Sequence, residues 1–167
     1  MMAMCAYPIR SFNGVPKYNI SKRSSKPRYI CVHYTDGTGS AKNNVIYFRS
    51  GNRNASADFF IDSCEIWRFN PNVSKYYTWA IGDGHGRYGY TNANTINIEV
   101  VSSGEKFTTS EKKRLRYLVK RLMRRYGIPA ESVIRHYDAS RKICPAPYCG
   151  SESKNKAWRN LRKYITN

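Results

Sequence analysis

YICVHYT, residues 29–35, is the stretch that decides the fold. It is rich in β-branched and aromatic residues and stops at an Asp-Gly turn signal, so it predicts a buried strand. TINIEVV, residues 95–101, predicts a second strand of the same kind. A helical pattern covers residues 40–49, and another begins at Thr108. Strands that alternate with helices predict an α/β domain with a central mixed β-sheet flanked by helices.

The clearest helix signal follows Phe107. Thr108 and Glu111 form a capping box, and Gly127 is a fitting stop. Between these ends, apolar residues recur at helical spacing: Leu115, Leu118, Val119, Leu122, Met123 and Tyr126. Lysines and arginines cover the other faces, which indicates either a solvated face or a surface that attracts polyanions.

The other predicted elements are shorter. We expect strands at 57–62, 65–69 and 133–136, a terminal helix at 157–165 and a long loop at 70–94. In the helix at 40–49, the expected core contacts are Val45, Ile46 and Phe48. Residues 1–26 are polar, carry proline and glycine, and end in a basic run, which predicts an irregular basic N-terminal arm.

Charge is the strongest compositional signal. The 167 residues include 29 Lys and Arg against 11 Asp and Glu, a net charge of +18. Such a chain is drawn to polyanions, and nucleic acid, an anionic membrane or a wall carrying teichoic acid fit equally well. No apolar run is long enough to cross a bilayer, which excludes a membrane-spanning protein. The N-terminus lacks the features of a secretory signal, so we expect synthesis in the cytoplasm.

Histidines and cysteines are the candidate metal ligands. His33 and His136 each fall at or near the end of a predicted strand, where sheet-based sites gather ligands. Cys144 follows eight residues after His136, enough chain to loop back beside it. Two histidine nitrogens, one cysteine sulfur and an open position suit a catalytic zinc. The residues alone leave two alternatives open: satisfied core histidines, and a structural Cys144 paired with Cys149.

Five short motifs follow one another in a fixed order. They occupy residues 32–35, 55–62, 79–82, 95–99 and 136–145. In this order the chain resembles the zinc-dependent N-acetylmuramoyl-L-alanine amidases. That family includes phage endolysins and is related to animal peptidoglycan-recognition proteins. The similarity covers most of the chain.

The resemblance implies a role for each matching residue. His33, His136 and Cys144 match the zinc ligands of the family. Glu99 and Lys142 match its catalytic glutamate and lysine. In this chemistry the metal activates a water, the glutamate takes and returns its proton, and the lysine stabilises the oxyanion. Without the resemblance, Glu99 would be read as half of an ion pair and Lys142 as a solvated lysine.

Aromatic side chains are the expected substrate contacts. We expect Tyr34 and Trp79 to bind the sugar-peptide substrate, with Tyr88 and Tyr90 as further candidates. Packing within the loop is the alternative for the loop aromatics. His85 lies among glycines, which indicates an exposed loop.

Three positions depart from the family pattern. Asp58 and Ala80 stand where many relatives have histidine, and Ala57 stands where some relatives have a helper tyrosine. These departures put the helper roles in doubt and leave the metal set intact.

The expected function is hydrolysis of the amide between N-acetylmuramic acid and the stem-peptide L-alanine. Residues 27–167 would be a single catalytic domain, monomeric and without a separate wall-binding domain. The protein would be a phage or prophage lysin that acts on bacterial peptidoglycan after release, without binding specific nucleic acid. Two alternatives are a non-catalytic peptidoglycan-binding module of the same fold and a basic nucleic-acid-binding protein. Cys144 argues against the first, and the absence of a known nucleic-acid-binding motif argues against the second.

Overall fold

The computed structural model describes residues 6–167, so Cys5 and the start of the N-terminal arm lie outside it. The strands in that range are β1 (Ile9–Ser11), β2 (Ile20–Lys22), β3 (Tyr29–Tyr34), β4 (Phe59–Ile61), β5 (Ile66–Arg68), β6 (Tyr76–Thr78), β7 (Thr95–Val100) and β8 (Val133–Arg135). The α-helices are α1 (Ala41–Arg49), α2 (Thr109–Tyr126), α3 (His136–Ser140) and α4 (Glu152–Thr166).

Six of these strands form one mixed sheet in the order β1-β5-β4-β7-β3-β8. β4, β7, β3 and β8 run parallel, β5 is antiparallel to β4, and β1 pairs in parallel with β5 at one edge. β2 and β6 form a separate antiparallel pair. The prediction of an α/β domain with a central mixed sheet flanked by helices is confirmed.

Side chains of the central strands alternate between the two faces of the sheet. In β3, Val32 packs into the apolar core under α2 and α4, whereas His33 points to the other face. In β7, Ile98 and Glu99 divide in the same way. The parallel register sets His33 beside Glu99. An apolar pattern that buries one face of the sheet therefore brings two polar side chains together on the other.

Helix α2 begins and ends where the sequence predicts. The Glu111 carboxylate accepts the Thr108 N–H at 2.8 Å, and the Thr108 hydroxyl accepts the Glu111 N–H at 3.2 Å. Gly127 ends the helix at a φ of 66°, in the left-handed region that favours glycine. Its buried apolar residues are Leu115, Leu118, Val119 and Leu122. Each buried leucine contributes roughly 1.5–3 kcal/mol, so core packing holds the helix despite its charge. Within residues 6–167, no helix is long and apolar enough to span a membrane.

The prediction of an irregular N-terminal arm is wrong for residues 9–11 and 20–22. The first of these segments extends the central sheet as β1, and the second pairs with β6. Arg23 then fixes the arm, because its buried guanidinium donates to four backbone carbonyls. They belong to Val73, Tyr76, Ala93 and Thr95. A three-residue strand shows too little alternation to be recognised from sequence.

Other boundaries also differ from expectation. The segment at 70–94 contains β6 and 3₁₀ turns at Gly82–Gly84 and Asn92–Asn94, so it is not a plain loop. Helix α4 begins at Glu152, before the predicted start. Ile46 is exposed whereas Val45 is buried, because a short helix turns only one narrow stripe toward the core.

The arginine that fixes the arm provides the first test. We expect Arg23→Ala to lower the free energy of unfolding by about 2–5 kcal/mol, because buried carbonyls lose a charged donor. Urea denaturation measures this loss. The exposed Lys26 gives the matched control, and Lys26→Ala should change stability by less than about 0.5 kcal/mol. Equal effects of the two substitutions would contradict this account of the arm.

Candidate metal centre

Three side chains that can bind a metal converge on the polar face of the sheet. His33 lies in β3, His136 begins α3 directly after β8, and Cys144 lies in the loop that follows α3. His33 Nδ1 is 3.2 Å from His136 Nδ1 and 3.9 Å from Cys144 Sγ. The three ligand atoms all lie within 4.8 Å of one another, and all three residues are buried. The structure therefore brings the predicted set together, and we call it the metal cluster.

Two hydrogen bonds orient the imidazole rings of the metal cluster. His33 Nε2 donates to Asn97 Oδ1 at 3.0 Å, and His136 Nε2 donates to Asp83 Oδ1 at 2.8 Å. Because both acceptors are oxygens, each Nε2 carries a proton and each Nδ1 keeps a lone pair. Both Nδ1 atoms lie within 4.8 Å of the Cys144 sulfur. An outer partner that fixes the tautomer in this way is typical of metal-binding histidines.

Burial keeps the two imidazoles neutral. Burial, helped by the nearby His136, lowers the pKa of His33 to about 3. Burial also lowers the pKa of His136, although Asp83 opposes it. For the Cys144 thiol, burial raises the pKa, and the Glu99 charge adds to the effect. Two neutral imidazole nitrogens and a sulfur that face one point match the donor set of a metal ion.

Glu99 borders the metal cluster. Its Oε1 lies 4.0 Å from His33 Nδ1. Its Oε2 is buried and has no hydrogen-bond partner among the described residues. Burial raises the pKa of Glu99 to about 8, and the Lys142 ammonium acts in the opposite direction. A metal cation in the cluster would act in the same direction as Lys142: it would lower the pKa of Glu99 and favour the charged carboxylate.

An open groove of about 860 Å³ leads to the metal cluster. Trp79, Ala80, Asp83, His136 and Lys142 are among the residues that line it. An open groove of this size admits a polymer segment as well as a small molecule. The predicted site residues Lys142 and Trp79 thus share a groove with one of the cluster histidines.

The predicted aromatic contacts divide between the two faces. Trp79 lies on the groove, where its indole N–H donates to the Ser21 hydroxyl at 2.9 Å. Tyr34 instead packs against the apolar core, because it follows His33 in β3 and faces the opposite way. Tyr90 packs edge-on against Tyr29 at 4.8 Å between ring centroids, which matches the packing alternative.

Asp58 lies outside the metal cluster. It is fully buried and accepts hydrogen bonds from the Asn97 N–H at 2.7 Å, the Asn70 amide at 2.7 Å and the Thr78 hydroxyl at 3.0 Å. Burial raises its pKa, and these hydrogen bonds oppose the rise. Asp58 therefore anchors the backbone of β7 at the residue whose side chain orients His33.

Asp83, like Asn97, is a site residue that the sequence did not reveal. It lies in the 3₁₀ turn that packs against α3, and Gly84 allows this close approach. A β-carbon at Gly84 would lie only 2.3 Å from the Ala139 carbonyl oxygen. In that stretch only His85 stood out, and it is exposed and outside the cluster. The available signal was a single acid between two glycines.

The cysteines do not form the alternative disulfide. Cys144 and Cys149 are both free, and the Cys149 thiol donates to the Pro145 carbonyl at 3.2 Å. Cys31 and Cys64 are also free among the described residues. Cys144 is therefore available to the metal cluster.

Comparison with known proteins agrees with this geometry. The family model for N-acetylmuramoyl-L-alanine amidase matches residues 23–147. The chain belongs to the N-acetylmuramoyl-L-alanine amidase family. The resemblance inferred from the five motifs is confirmed, and the match includes every residue of the metal cluster.

Both curated sequences and solved structures resemble the chain. N-acetylmuramoyl-L-alanine amidase CwlL of Bacillus licheniformis is 31% identical over 140 residues, 78% of this chain and 39% of the relative. The chain thus spans about two fifths of that relative's length. The structure of PlyL shares the fold, with a TM-score of 0.75 and 24% identity over 98% of both chains. The catalytic domain of PlyG is 28% identical, with a TM-score of 0.65 over 84% of this chain and 81% of that domain.

The carboxylate of Asp83 provides a test of the cluster. We expect Asp83→Ala to weaken metal binding by about 10–100-fold, because His136 loses the partner that orients it. Competition with a chromophoric chelator measures the affinity. Asp83→Asn keeps an acceptor oxygen and should fall between wild type and Asp83→Ala.

An exposed acid gives the control for this test. Glu131→Ala removes the same charge outside the cluster and should leave metal affinity unchanged. Wild-type affinity in Asp83→Ala, or an equal loss in Glu131→Ala, would show that Asp83 does not support the metal.

Proposed function

We propose that the protein is a zinc-dependent N-acetylmuramoyl-L-alanine amidase. It hydrolyses the amide between the lactyl group of N-acetylmuramic acid and the L-alanine of the stem peptide. The observation that carries the proposal is the inward-facing set of two Nδ1 atoms and one sulfur, beside a buried carboxylate oxygen without a partner. Membership of the amidase family supports the choice of bond.

Zinc is the metal that we assign to the cluster. Two imidazole nitrogens and one thiolate are donors that zinc accepts in catalytic sites, where a further position stays open. Bound there, zinc would acidify a water molecule and polarise the amide carbonyl. His33, His136 and Cys144 would hold it, and Asn97 and Asp83 would keep the two imidazoles aligned.

Glu99 is the proton carrier in this proposal. Its Oε2 has no hydrogen-bond partner among the described residues, so it can accept a proton from the attacking water. The water oxygen bonds to the carbonyl carbon, and the carbon–nitrogen bond then breaks. Glu99 returns its proton to the departing amine of L-alanine, which balances the reaction.

Lys142 and Trp79 act on the substrate from the groove. The exposed Lys142 ammonium faces the space next to His136, where it can stabilise the negative charge that develops on the carbonyl oxygen. Trp79 presents an aromatic surface in the same groove, on which a sugar ring or peptide can pack. For Tyr34, which is partly buried on the other face of β3, we propose a contact with the part of the substrate that extends past the end of this strand.

The bacterial wall is the place of action that we propose. A net charge of +18 draws the protein to an anionic surface, and peptidoglycan is the partner that fits the amidase family. The catalytic unit works as a monomer, made in the cytoplasm and released to the wall as endolysins are.

Removal of single ligands tests the metal. We expect about one zinc per chain, and we expect His33→Ala, His136→Ala and Cys144→Ala each to lose both the zinc and the activity. Elemental analysis measures the zinc, and release of new amino termini from a soluble muropeptide measures the activity. His85→Ala, on the same groove but outside the cluster, should keep the zinc. Wild-type protein without stoichiometric zinc in zinc-replete buffer would contradict the proposal.

Replacement of Glu99 tests the proton carrier. We expect Glu99→Gln to retain the zinc and the fold but to lose activity by roughly 10²–10⁴-fold, the usual size of a general acid–base contribution. The exposed Glu105 gives a matched control, and Glu105→Gln should turn over normally. Normal turnover in folded Glu99→Gln would remove Glu99 from the mechanism. Peptidoglycan binding without any cleavage by wild type would favour the non-catalytic module instead.

A further inference from the structure

A second cavity lies on the face of the sheet that α2 covers, opposite the metal cluster. Its volume is about 310 Å³, and it is bounded by α2, β5 and the segment that follows β5. Its floor is apolar and includes Phe59 and Leu118. Three arginines surround it: Arg68 from β5, and Arg121 and Arg125 from α2. No acidic residue is among the described residues that line it.

These three arginines have no ion-pair partner in the described part of the chain. Arg68 makes one long contact, 3.5 Å from Nη1 to the Pro71 carbonyl. Its Nε is buried and has no hydrogen-bond partner among residues 6–167. A buried donor left without an acceptor destabilises the fold, so the site favours an acceptor supplied from outside the chain.

The positions of the three arginine charges also favour a bound anion. Arg121 and Arg125 lie one turn apart on the same face of α2, and like charges at this spacing destabilise a helix. The helix dipole favours a cation in the last turn, which accounts for Arg125. It does not account for Arg121, nor for Arg68 on another element. A bound anion would relieve the repulsion among all three.

We propose that this cavity, the arginine cavity, binds a phosphodiester of a polyol-phosphate wall polymer and holds the enzyme on the wall. Guanidinium groups pair with phosphate oxygens in a bidentate geometry. The hydroxyls of Ser74 and Tyr126, 3.3 Å apart at the same cavity, offer further donors. The apolar floor can contact the C–H groups of the polyol, while its hydroxyls stay toward solvent. This proposal rests on the proposed wall function, because that is where the enzyme meets such a polymer.

The position of the arginine cavity separates attachment from cleavage. The groove and the metal cluster occupy the face of the sheet that carries His33, whereas the arginine cavity lies on the face under α2. A polymer held at the arginine cavity therefore leaves the groove free for a glycan strand. A phosphate on a flexible chain fits a pit between a helix and a loop more readily than a rigid duplex does.

Binding of a soluble glycerol-phosphate oligomer to the zinc-loaded protein tests the proposal. Calorimetry at low salt should show saturable binding that weakens as salt rises, because the Debye length falls from about 10 Å at 0.1 M to about 3 Å at 1 M. The double variant Arg121→Gln/Arg125→Gln should bind at least about tenfold more weakly, since two charge-assisted contacts are lost. Both arginines are exposed, so we expect the double variant to fold normally.

A variant that removes the same number of charges elsewhere distinguishes binding at the arginine cavity from general electrostatic attraction. Lys113→Gln/Arg124→Gln removes the same charge from the outward side of α2 and should change the affinity by less than about threefold, through long-range attraction alone. Arg68→Lys keeps the charge but loses the buried Nε donor, and it should weaken binding more than the Lys113/Arg124 control. Equal losses in the two double variants would overturn the site.

Two further measurements fix the identity of the ligand and its independence from catalysis. Duplex DNA of equal phosphate content should bind with no preference for the arginine cavity. Tight DNA binding that Arg121→Gln/Arg125→Gln abolishes would overturn the wall assignment. Both double variants should cleave a soluble muropeptide at the wild-type rate. If wild type binds the oligomer but cleaves no muropeptide, the proposed amidase activity is refuted, whereas polymer binding at the arginine cavity is still supported.

Discussion

The hydrogen bond between His33 Nε2 and Asn97, together with its counterpart between His136 Nε2 and Asp83, is the constraint on which the centre depends. Each bond fixes a proton on the outer nitrogen and turns the inner nitrogen toward Cys144. Without them, a buried imidazole could adopt either tautomer, and the three donors would not face one point. The chemistry of the site therefore depends on residues that do not themselves belong to the cluster.

These outer partners are anchored in the sheet and its edges. Asp58 binds the backbone N–H of Asn97, and Arg23 donates to the carbonyl of Thr95 two residues earlier on β7. The charge of Arg23 also acts on Asp58. The N-terminal arm is thus connected to the orientation of His33 through a short series of polar contacts. The hydrogen bonds to Asp58 offset the cost of burying its carboxylate, which would be high if the group were unpaired.

Much of this architecture could be predicted from sequence because the signals were local. The apolar, β-branched runs at 29–35 and 95–101 predicted the two central strands, and the parallel register of the structure then sets His33 beside Glu99. The capping box at Thr108 fixed the start of α2. For the metal cluster, the strand-end histidines and the resemblance to the amidase family predicted the three residues that the structure brings together. The strand and cap patterns each span only a few neighbouring residues.

The features that escaped prediction depend on distant partners. β1 is recognisable only beside β5, and the arginine at position 23 gives no sign of the four carbonyls that it reaches. Asp83 meets His136 across 53 positions of chain, through a turn whose approach requires Gly84. Tyr34 packs against the apolar core, because the alternation that faces His33 to the groove faces its neighbour to the other side of the sheet. A residue next to a predicted metal ligand in the sequence, such as Tyr34 after His33, can therefore lie on the opposite face of the sheet from the groove.

The separation of the ligands along the chain has a consequence for biosynthesis. His33 and His136 are 103 positions apart, and Cys144 is 111 positions from His33. Parallel pairing of β3 with β7 and β8 also joins distant segments, and such non-local topologies fold slowly. A chain still on the ribosome has no complete metal cluster until β8 and the Cys144 loop have emerged and docked. A metal ion that binds the docked state and not the nascent chain would stabilise the finished fold in proportion to the logarithm of its concentration. A nascent chain that ends before Cys144 lacks one of the three donors and therefore cannot complete the metal cluster.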